Sequence, residues 1–307
     1  MMVLADADSC REIIKPITKF ICIPICNPLL YPIRWNALLE EVGCEENIMI
    51  SSNNKTFLLI LILFSLSVFC IPAQVTGQWV AQKIEERDKG RDATQIMEMT
   101  LMDSKGRERH RSLTIIRKEF NGLDKLLLRF TYPNDIKGVS FLVWEHKGED
   151  NERFLFLPAL GRIRRIASSE KDENFAGTDF SYQDISGPKL EDYRYELVED
   201  GVRYNSVDCY LLASFPRETK SRFSKVLSWV TKDSFFVIKA EYYNKMDRLE
   251  KTFDASQLSL IDGIWTALEI SMENHKTRHR TKSILIQVDY NIGIPDENFQ
   301  KNALERP

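Results

Sequence analysis

The chain has 307 residues, of which 43% are apolar and 10% aromatic, so it can form a substantial hydrophobic core. This composition excludes an intrinsically disordered chain, and the length suits one large domain or two small ones. The formal net charge of -3 lacks the basic excess of proteins that coat nucleic acid, so we expect no nucleic-acid partner.

The first 48 residues precede a segment that is itself typical of a chain start. One interpretation is a metal or disulfide module, since two cysteines lie four residues apart. The other, which we favour, is that translation begins at Met49 and that residues 1–48 are a start-site error. This extension carries a proline-broken apolar stretch and four of the six cysteines: Cys10, Cys22, Cys26 and Cys44.

Residues 49–77 have the three-part layout of a secretory signal peptide. A methionine and a polar stretch containing Lys55 precede an apolar run, Phe57–Phe69. This run is shorter than the roughly 20 residues that a membrane span needs. Small residues follow it, and cleavage after Ala73 or Gly77 fits equally well. We therefore predict a periplasmic protein secreted through a cleavable signal peptide.

Two further cysteines bear on the compartment and on modification. Cys70 could belong to a lipoprotein box, but the bulky Phe69 stands before it, where a small residue is expected. After removal of the signal peptide only Cys209 remains. A lone thiol in an oxidising compartment is most simply a small buried core residue, so we predict no disulfide framework.

The region after the signal peptide begins with one predicted amphipathic helix. Residues 78–86 read QWVAQKIEE and place Trp79, Val80 and Ile84 at helical spacing. From Gly90 on, about a dozen short runs alternate apolar and polar residues and are separated by turn signals such as DSKGRE. No long helical segment separates most of these runs. The pattern therefore predicts a mainly β fold, a meandering antiparallel sheet, and not parallel βαβ units.

The strand rhythm stops between residues 168 and 192. The sequence there, SSEKDENFAGTDFSYQDISGPKLED, is polar and punctuated by glycine. It predicts a long loop with a helical turn around Tyr182–Ile185. Long structured excursions inside a tight meander are often functional, so we include this loop in the candidate site.

Motifs for catalysis or metal binding are missing from the sequence, which has no HExxH, GxSxG, Walker or GxGxxG pattern. His275 and His279 have a spacing that suits a metal on a helix. They fall in a charged hairpin turn, however, where we expect both rings to be solvated. Asp179, Asp184 and Glu191 could supply an acid and a base, but their aromatic setting favours loop anchoring. We predict no enzymatic activity, no cofactor and no metal.

Aromatic residues recur on the predicted strands. Each one alone is best interpreted as an ordinary core residue. Two short helical pieces, however, are a poor cover for about a dozen strands, so the sheet either curls on itself or encloses an apolar cavity. The candidate cavity-lining residues are Trp144, Phe156, Trp229 and Trp265.

Two motifs in the middle of the chain resemble those of a known family. The run FLFLPALGRIRRI, followed by FAGTDFSYQDI, resembles the LolA-like outer-membrane lipoprotein-sorting family, in particular the branch encoded beside RND/MMPL-type exporters. That branch has an LPA…R.RRI segment and then a G(S/T)DF.Y.D segment. The resemblance covers roughly residues 80 to 306. The matching positions are Leu157, Pro158, Ala159, Arg162, Arg164, Arg165 and Ile166, then Gly177, Thr178, Asp179, Phe180, Tyr182 and Asp184.

The resemblance implies a lipid-binding domain over residues 78–307, built as an incomplete antiparallel β-barrel with a few short covering helices. It also implies a periplasmic carrier that holds lipid or lipoprotein acyl chains and moves them toward the outer membrane, with an inner-membrane transporter as a partner. The alternative is a non-catalytic accessory protein that docks on an RND/MMPL-type transporter. An apolar cavity large enough for an acyl chain would favour the carrier.

The three arginines of the first motif have two competing interpretations. They could meet a lipid headgroup phosphate or an acidic partner at the cavity rim. At least one of them could instead pair with the aspartates of the second motif and hold the long loop on the sheet, which we favour. Alternation along a strand puts the first two arginines on one face and the third on the other, so one shared target is not expected. The candidate loop and headgroup residues are Arg162, Arg164, Arg165, Asp179, Phe180, Tyr182 and Asp184.

Overall fold

The structure is a computed structural model that describes residues 74–306. Within this part of the chain, thirteen antiparallel strands form one sheet in the order β6-β5-β4-β3-β2-β1-β13-β12-β11-β10-β9-β8-β7. The predicted extension and the apolar run of the predicted signal peptide lie outside the described residues.

The described elements have the following bounds. The strands are β1 (Asp92–Met102), β2 (Glu108–Phe120), β3 (Leu123–Tyr132), β4 (Ser140–Trp144), β5 (Glu152–Leu157), β6 (Arg162–Ile166), β7 (Tyr193–Tyr204), β8 (Val207–Pro216), β9 (Phe223–Thr231), β10 (Val237–Asn244), β11 (Leu249–Ile261), β12 (Ile264–Asn274) and β13 (His279–Tyr290). The α-helices are α1 (Gly77–Glu85) and α2 (Tyr182–Ser186). Short 3-10 turns cover Pro158–Leu160, Ser168–Glu170, Phe175–Gly177, Leu190–Asp192, Asp296–Phe299 and Lys301–Glu305.

The sheet does not close into a barrel. Strands β6 and β7 follow each other in the chain, yet they form the two edges of the sheet. The segment that joins them, residues 167–192 and here called the connection, therefore runs from one edge to the other. The predicted fold class is confirmed: an incomplete antiparallel β-barrel with a few short covering helices.

The predicted opening helix is present as α1. The Thr76 side chain caps its start and accepts a hydrogen bond from the Trp79 N–H at 3.1 Å. Val80 and Ala81 are buried and pack against the sheet through a cluster that includes Leu212 and Val230. The amphipathic pattern of the sequence thus becomes a helix that covers one end of the sheet.

The register of the strands separates an inner face, which faces the connection, from an outer face. On the inner face of β1 to β6 the buried residues Leu113, Leu128 and Phe141 pack against Phe175 and Tyr182 of the connection. The outer face of β2 to β6 is covered by the C-terminal 3-10 turns. Its core consists of Leu127, Leu142, Phe154, Ala303 and Leu304.

The one cysteine of the described residues lies in the core, as predicted. Cys209 is fully buried on β8 and makes no disulfide. Its thiol contacts the Val207 carbonyl oxygen at 3.5 Å, and burial raises the pKa of this thiol. The group therefore behaves as a small apolar core side chain and not as a reactive nucleophile.

Candidate functional site

A cavity of about 280 Å³ lies between the inner face and its cover. This volume is close to the lower end of the roughly 300–1,000 Å³ typical of small-molecule sites. The cover consists of α1, through Ala81 and Ile84, and of the connection. We call this space the α1 cavity. Its floor is formed by side chains of β7 to β11, among them Leu212, Val226, Ala240, Tyr242 and Phe253.

Tyrosine side chains supply part of the polar surface of the α1 cavity. Burial raises the pKa values of Tyr193 and Tyr195. Burial, with the nearby Asp184 carboxylate, raises the pKa of Tyr242 well above its usual value. These phenols therefore stay protonated and neutral at physiological pH, and they can orient a polar group without acting as bases.

The helix α1 approaches β7 closely at Gly77. A Cβ atom at this position would lie 2.5 Å from the Glu196 carbonyl carbon and 2.6 Å from the Leu197 nitrogen. Only glycine lets the two backbones come this close, so Gly77 sets the position of the helix that covers the cavity.

Replacing Gly77 by alanine should lower the free energy of unfolding by about 1–3 kcal/mol, because the added methyl group overpacks the helix against β7. Urea unfolding followed by circular dichroism measures this change. The matched control is Gln78→Ala, one residue along the helix at an exposed position, which should change stability by less than about 0.5 kcal/mol. Equal stabilities for Gly77→Ala and the unchanged protein would contradict the close contact.

Asp179 fastens the connection to strand β13. Its carboxylate is buried, and its Oδ2 accepts a hydrogen bond from Thr281 Oγ1 at 2.7 Å. The same oxygen lies 2.6 Å from His279 Nδ1, and the Asp179 N–H donates to Thr281 Oγ1 at 3.0 Å. Moving this carboxylate away from the sheet is unfavourable, because the Thr281 hydroxyl and the His279 ring would then lose their hydrogen-bond partner.

Asp184 fastens the connection to strand β11. Its Oδ2 accepts hydrogen bonds from the Ser181 N–H at 2.7 Å and from the Ser181 hydroxyl at 2.8 Å, which closes a cap at the start of α2. The Lys251 ammonium lies 2.8 Å from the same oxygen. Lys251 is only 1% exposed, so this is a buried ion pair between the cover and the floor.

Arg153 on β5 fastens α2 to the sheet from the other side. Its Nε donates to Ser186 Oγ at 3.0 Å, and its Nη2 donates to Gln183 Oε1 at 2.9 Å. Burial lowers the pKa of Arg153, which is 3% exposed. The sequence does not indicate this role, because β5 is apolar on both faces and its alternation does not show which side chains point inward.

A second cavity of about 300 Å³ lies over the inner face of β1 to β3, β12 and β13, next to the end of α1. Arg87, Lys89 and Arg117 contribute its cations. We call it the Arg87 cavity. Its apolar lining includes Met97, Ile115, Leu126, Ile264, Trp265 and Leu285.

Comparison with known proteins identifies the family to which this chain belongs. A family profile described as an uncharacterized protein matches residues 122–306. The chain is 31% identical to a domain from Vibrio parahaemolyticus, provisionally assigned as an outer membrane lipoprotein-sorting protein, with a TM-score of 0.71 over 75% of this chain and 98% of that one. This chain belongs to the LolA-like outer-membrane lipoprotein-sorting family.

Two further solved structures agree with this assignment. A DUF1329 family protein from Desulfovibrio piger is 29% identical, with a TM-score of 0.70 over 74% of this chain and 97% of that one. A LolA superfamily protein from Nitrosomonas europaea is 21% identical over 75% of this chain and all of that one, and its TM-score of 0.60 shows a shared fold. No curated protein sequence matches this chain.

The arginines of the family motif lie on the edge strand β6. Register places Arg164 opposite Leu155 of the inner face and Arg165 opposite Phe154 of the outer face, with Arg162 on the same side as Arg164, so the predicted division between faces is confirmed. Arg164 forms an ion pair with Glu170, and Arg165 Nη2 lies 3.2 Å from Glu152.

The predicted pairing of these arginines with Asp179 or Asp184 is wrong. Both aspartates are turned toward the sheet under the connection, where β13 and β11 supply their partners, whereas the arginines are exposed at the edge. The Arg164–Glu170 pair still holds the start of the connection, since Glu170 belongs to it.

The aromatic residues of the second family motif lie in the core. Phe180 and Tyr182 are buried, and the Tyr182 ring centroid is 5.2 Å from that of Phe141 and 5.7 Å from that of Phe175. Together with the two aspartates they seat the connection on the inner face. The motif therefore builds the cover of the sheet.

The expectation that both paired histidines are solvated is wrong for one of them. His275 is exposed and lies 2.7 Å from Thr252 Oγ1. His279 begins β13 on the inner face and contacts the buried Asp179. Within residues 74–306, no group of three or more His, Cys, Asp or Glu side chains is placed to hold a metal ion.

The four predicted cavity-lining residues lie in three different places. Trp265 lines the Arg87 cavity. Trp144 and Phe156 lie instead on the outer face, where the Trp144 Nε1–H donates to the Phe299 carbonyl oxygen at 2.8 Å. Trp229 packs beside Tyr204 and lines neither cavity.

Proposed function

We propose that this chain is a periplasmic carrier that binds lipid or lipoprotein acyl chains in the α1 cavity and moves them toward the outer membrane. The observation that carries this proposal is the mainly apolar cavity between the inner face and a cover made of α1 and the connection. The assignment of the Vibrio relative to lipoprotein sorting supports it.

The proposed mechanism is reversible burial of hydrocarbon. Moving an acyl chain out of water is favourable by about 0.8 kcal/mol for each CH₂ group buried, so an apolar space suffices to hold the chain. The cover is a separate helix and a long connection, both joined to the floor by side-chain contacts. Such elements can move apart from the sheet while its strand pairing stays intact.

Location, processing and partners belong to the same proposal. We propose that the signal peptide is removed after Ala73, the earlier of the two predicted cleavage sites, so that Thr76 and Gly77 of α1 remain with the working domain predicted over residues 78–307. We also propose that an inner-membrane transporter, of the RND/MMPL type, delivers or receives the ligand. Within residues 74–306, no helix has the length and apolar character needed to cross a membrane. The α1 cavity favours the carrier over the alternative, a non-catalytic accessory protein that only docks on the transporter.

Filling the α1 cavity should abolish most of its ligand binding. Ser228 is buried on the cavity floor, so Ser228→Phe places a ring in the space that the acyl chain would occupy. We expect the Kd for a dansyl-labelled undecanoic acid, measured by fluorescence titration, to rise at least about tenfold, which corresponds to 1.4 kcal/mol.

The matched control is Ser256→Phe, which adds the same ring at an exposed position of β11 outside both cavities. This variant should bind the probe like the unchanged protein. If Ser228→Phe keeps its fold by circular dichroism and also binds the probe with unchanged affinity, the chain is not held in the α1 cavity.

A further inference from the structure

The two inner-face cavities are lined by ionisable side chains of opposite type. Three acids line the α1 cavity, and among the described residues its lining includes no lysine, arginine or histidine. Three cations line the Arg87 cavity, and its described lining includes no aspartate or glutamate. The acids are Glu85, Asp172 and Asp184, and the cations are Arg87, Lys89 and Arg117.

Lining residues of the two cavities meet at the end of α1, where Glu85 of the α1 cavity lies 3.8 Å from Lys89 of the Arg87 cavity. Glu85 lines the α1 cavity and Arg87, two residues on, lines the other. On the sheet side, Val237 lines the first cavity and its neighbour Phe236 lines the second. One elongated ligand can therefore contact both spaces.

Arg87 is a half-buried cation whose described partners are uncharged. Its Nη1 donates to the Trp265 carbonyl oxygen at 3.1 Å, and its guanidinium carbon lies 4.5 Å from the centre of the Phe236 ring. Within the described residues no carboxylate lies within ion-pair distance of it. Burial lowers the pKa of Arg87, so an anion that entered the cavity would stabilise its charged form.

Lys89 is the second cation that can reach a ligand. Its ammonium lies at ion-pair distance from two carboxylates, 3.8 Å from Glu85 and 3.9 Å from Asp124, but is too far from either to form a hydrogen bond. Arg117, in contrast, is already engaged. It contacts Asp124 at 2.5 Å and donates to the carbonyl oxygens of Lys89 and Gly90, so it positions the Lys89 backbone.

We propose that the Arg87 cavity binds the anionic headgroup, a carboxylate or a phosphate, of the acyl-chain ligand, and that Arg87 and Lys89 are the residues that contact it. This inference rests on the proposed carrier function. Asp172 of the α1 cavity has no ion pair among the described residues and repels an anionic headgroup, whereas Arg87 attracts it, so the chain lies in the α1 cavity and its charged end in the Arg87 cavity. The ligand class is thereby narrowed to anionic amphiphiles.

The test compares four ligands that share one sixteen-carbon chain: hexadecanoate, hexadecyl phosphate, the neutral monohexadecanoylglycerol and the cationic hexadecyltrimethylammonium. Each displaces Nile red from the full-length protein at neutral pH and low salt, below its micelle concentration. We expect one or both anions to bind about tenfold more tightly than the neutral ester. Arg87→Gln and Lys89→Gln should each reduce this preference to less than about threefold, taken as the ratio of the anion and ester affinities within each variant.

The control variant is Lys105→Gln, which removes a positive charge from the exposed turn between β1 and β2 and should leave all four affinities unchanged. A preference for only the carboxylate or only the phosphate that is lost in both cavity variants supports the inference and names the headgroup. Equal binding of the anions and the neutral ester overturns the inference while the carrier function stands. Failure of all four ligands to bind contradicts the carrier function itself.

Discussion

Replacing Lys251 by methionine should lower the free energy of unfolding by about 3–5 kcal/mol, because it leaves the Asp184 carboxylate buried without its cation. The Lys251 ammonium lies 2.8 Å from Asp184 Oδ2, and the lysine side chain is almost fully buried beneath the connection. Methionine keeps the length and the apolar contacts of the lysine stem, so the loss comes chiefly from the missing charge.

Urea unfolding measures the Lys251→Met effect, and a matched variant shows whether burial is its cause. Lys282→Met removes an ammonium that lies 2.7 Å from Glu269 at the surface, and it should cost less than about 1 kcal/mol. Adding Asp184→Leu to Lys251→Met should recover part of the lost stability, since no uncompensated charge remains. Similar small costs for Lys251→Met and Lys282→Met would contradict the buried ion pair.

Replacing Asp179 by alanine should lower the free energy of unfolding by about 3 kcal/mol. The change removes the acceptor of the Thr281 hydroxyl and the partner of His279 in a buried setting. Each buried polar group left without a hydrogen-bond partner lowers the free energy of unfolding by about 1–3 kcal/mol. The connection would lose its anchor on β13, and hydrogen exchange should accelerate in the segment that contains Phe180.

Thermal and urea unfolding of Asp179→Ala and of an arginine variant distinguish the observed anchor from the pairing that the sequence suggested. Arg164→Ala removes an exposed ion pair with Glu170 and should cost less than about 1 kcal/mol. A large loss for Arg164→Ala together with none for Asp179→Ala would show that the arginines, and not β13, hold the second family motif.

The sheet and the opening helix could be predicted because their signals are local. Runs in which apolar and polar residues alternate, separated by turn residues, predicted the strands. The helical spacing of Trp79, Val80 and Ile84 predicted α1. The break in strand rhythm marked the connection, which joins the two edges of the sheet. The family resemblance then supplied the incomplete barrel.

The anchors of the connection could not be predicted because each joins residues that are distant in sequence. Asp184 and Lys251 are 67 residues apart, and Asp179 and Thr281 are 102 apart. Nearness in the chain suggested the arginines of β6 as partners instead. Nothing in the sequence indicated that Lys251, a charged residue on an ordinary alternating strand, points toward the covered face.

The cavity lining was predicted poorly because aromatic residues occur on both faces of the sheet. The C-terminal turns cover the outer face of β2 to β6 and create a second core there, which contains Trp144 and Phe156. The floor of the α1 cavity is built instead from smaller side chains, such as Val226, Ser228 and Ala240. Small side chains leave room for a cavity, but the pattern of a single sequence does not distinguish cavity-lining small residues from other small residues.

Photo-crosslinking with a fatty acid that carries a diazirine in its chain tests the central claim most directly. After irradiation of the full-length protein and peptide mass spectrometry, we expect the label on the inner-face floor of β8 to β10, including Leu212, Val226 and Ala240, and its loss in Ser228→Phe. Label confined to the outer face, or label that persists unchanged in Ser228→Phe, would contradict an acyl-chain carrier built around the α1 cavity.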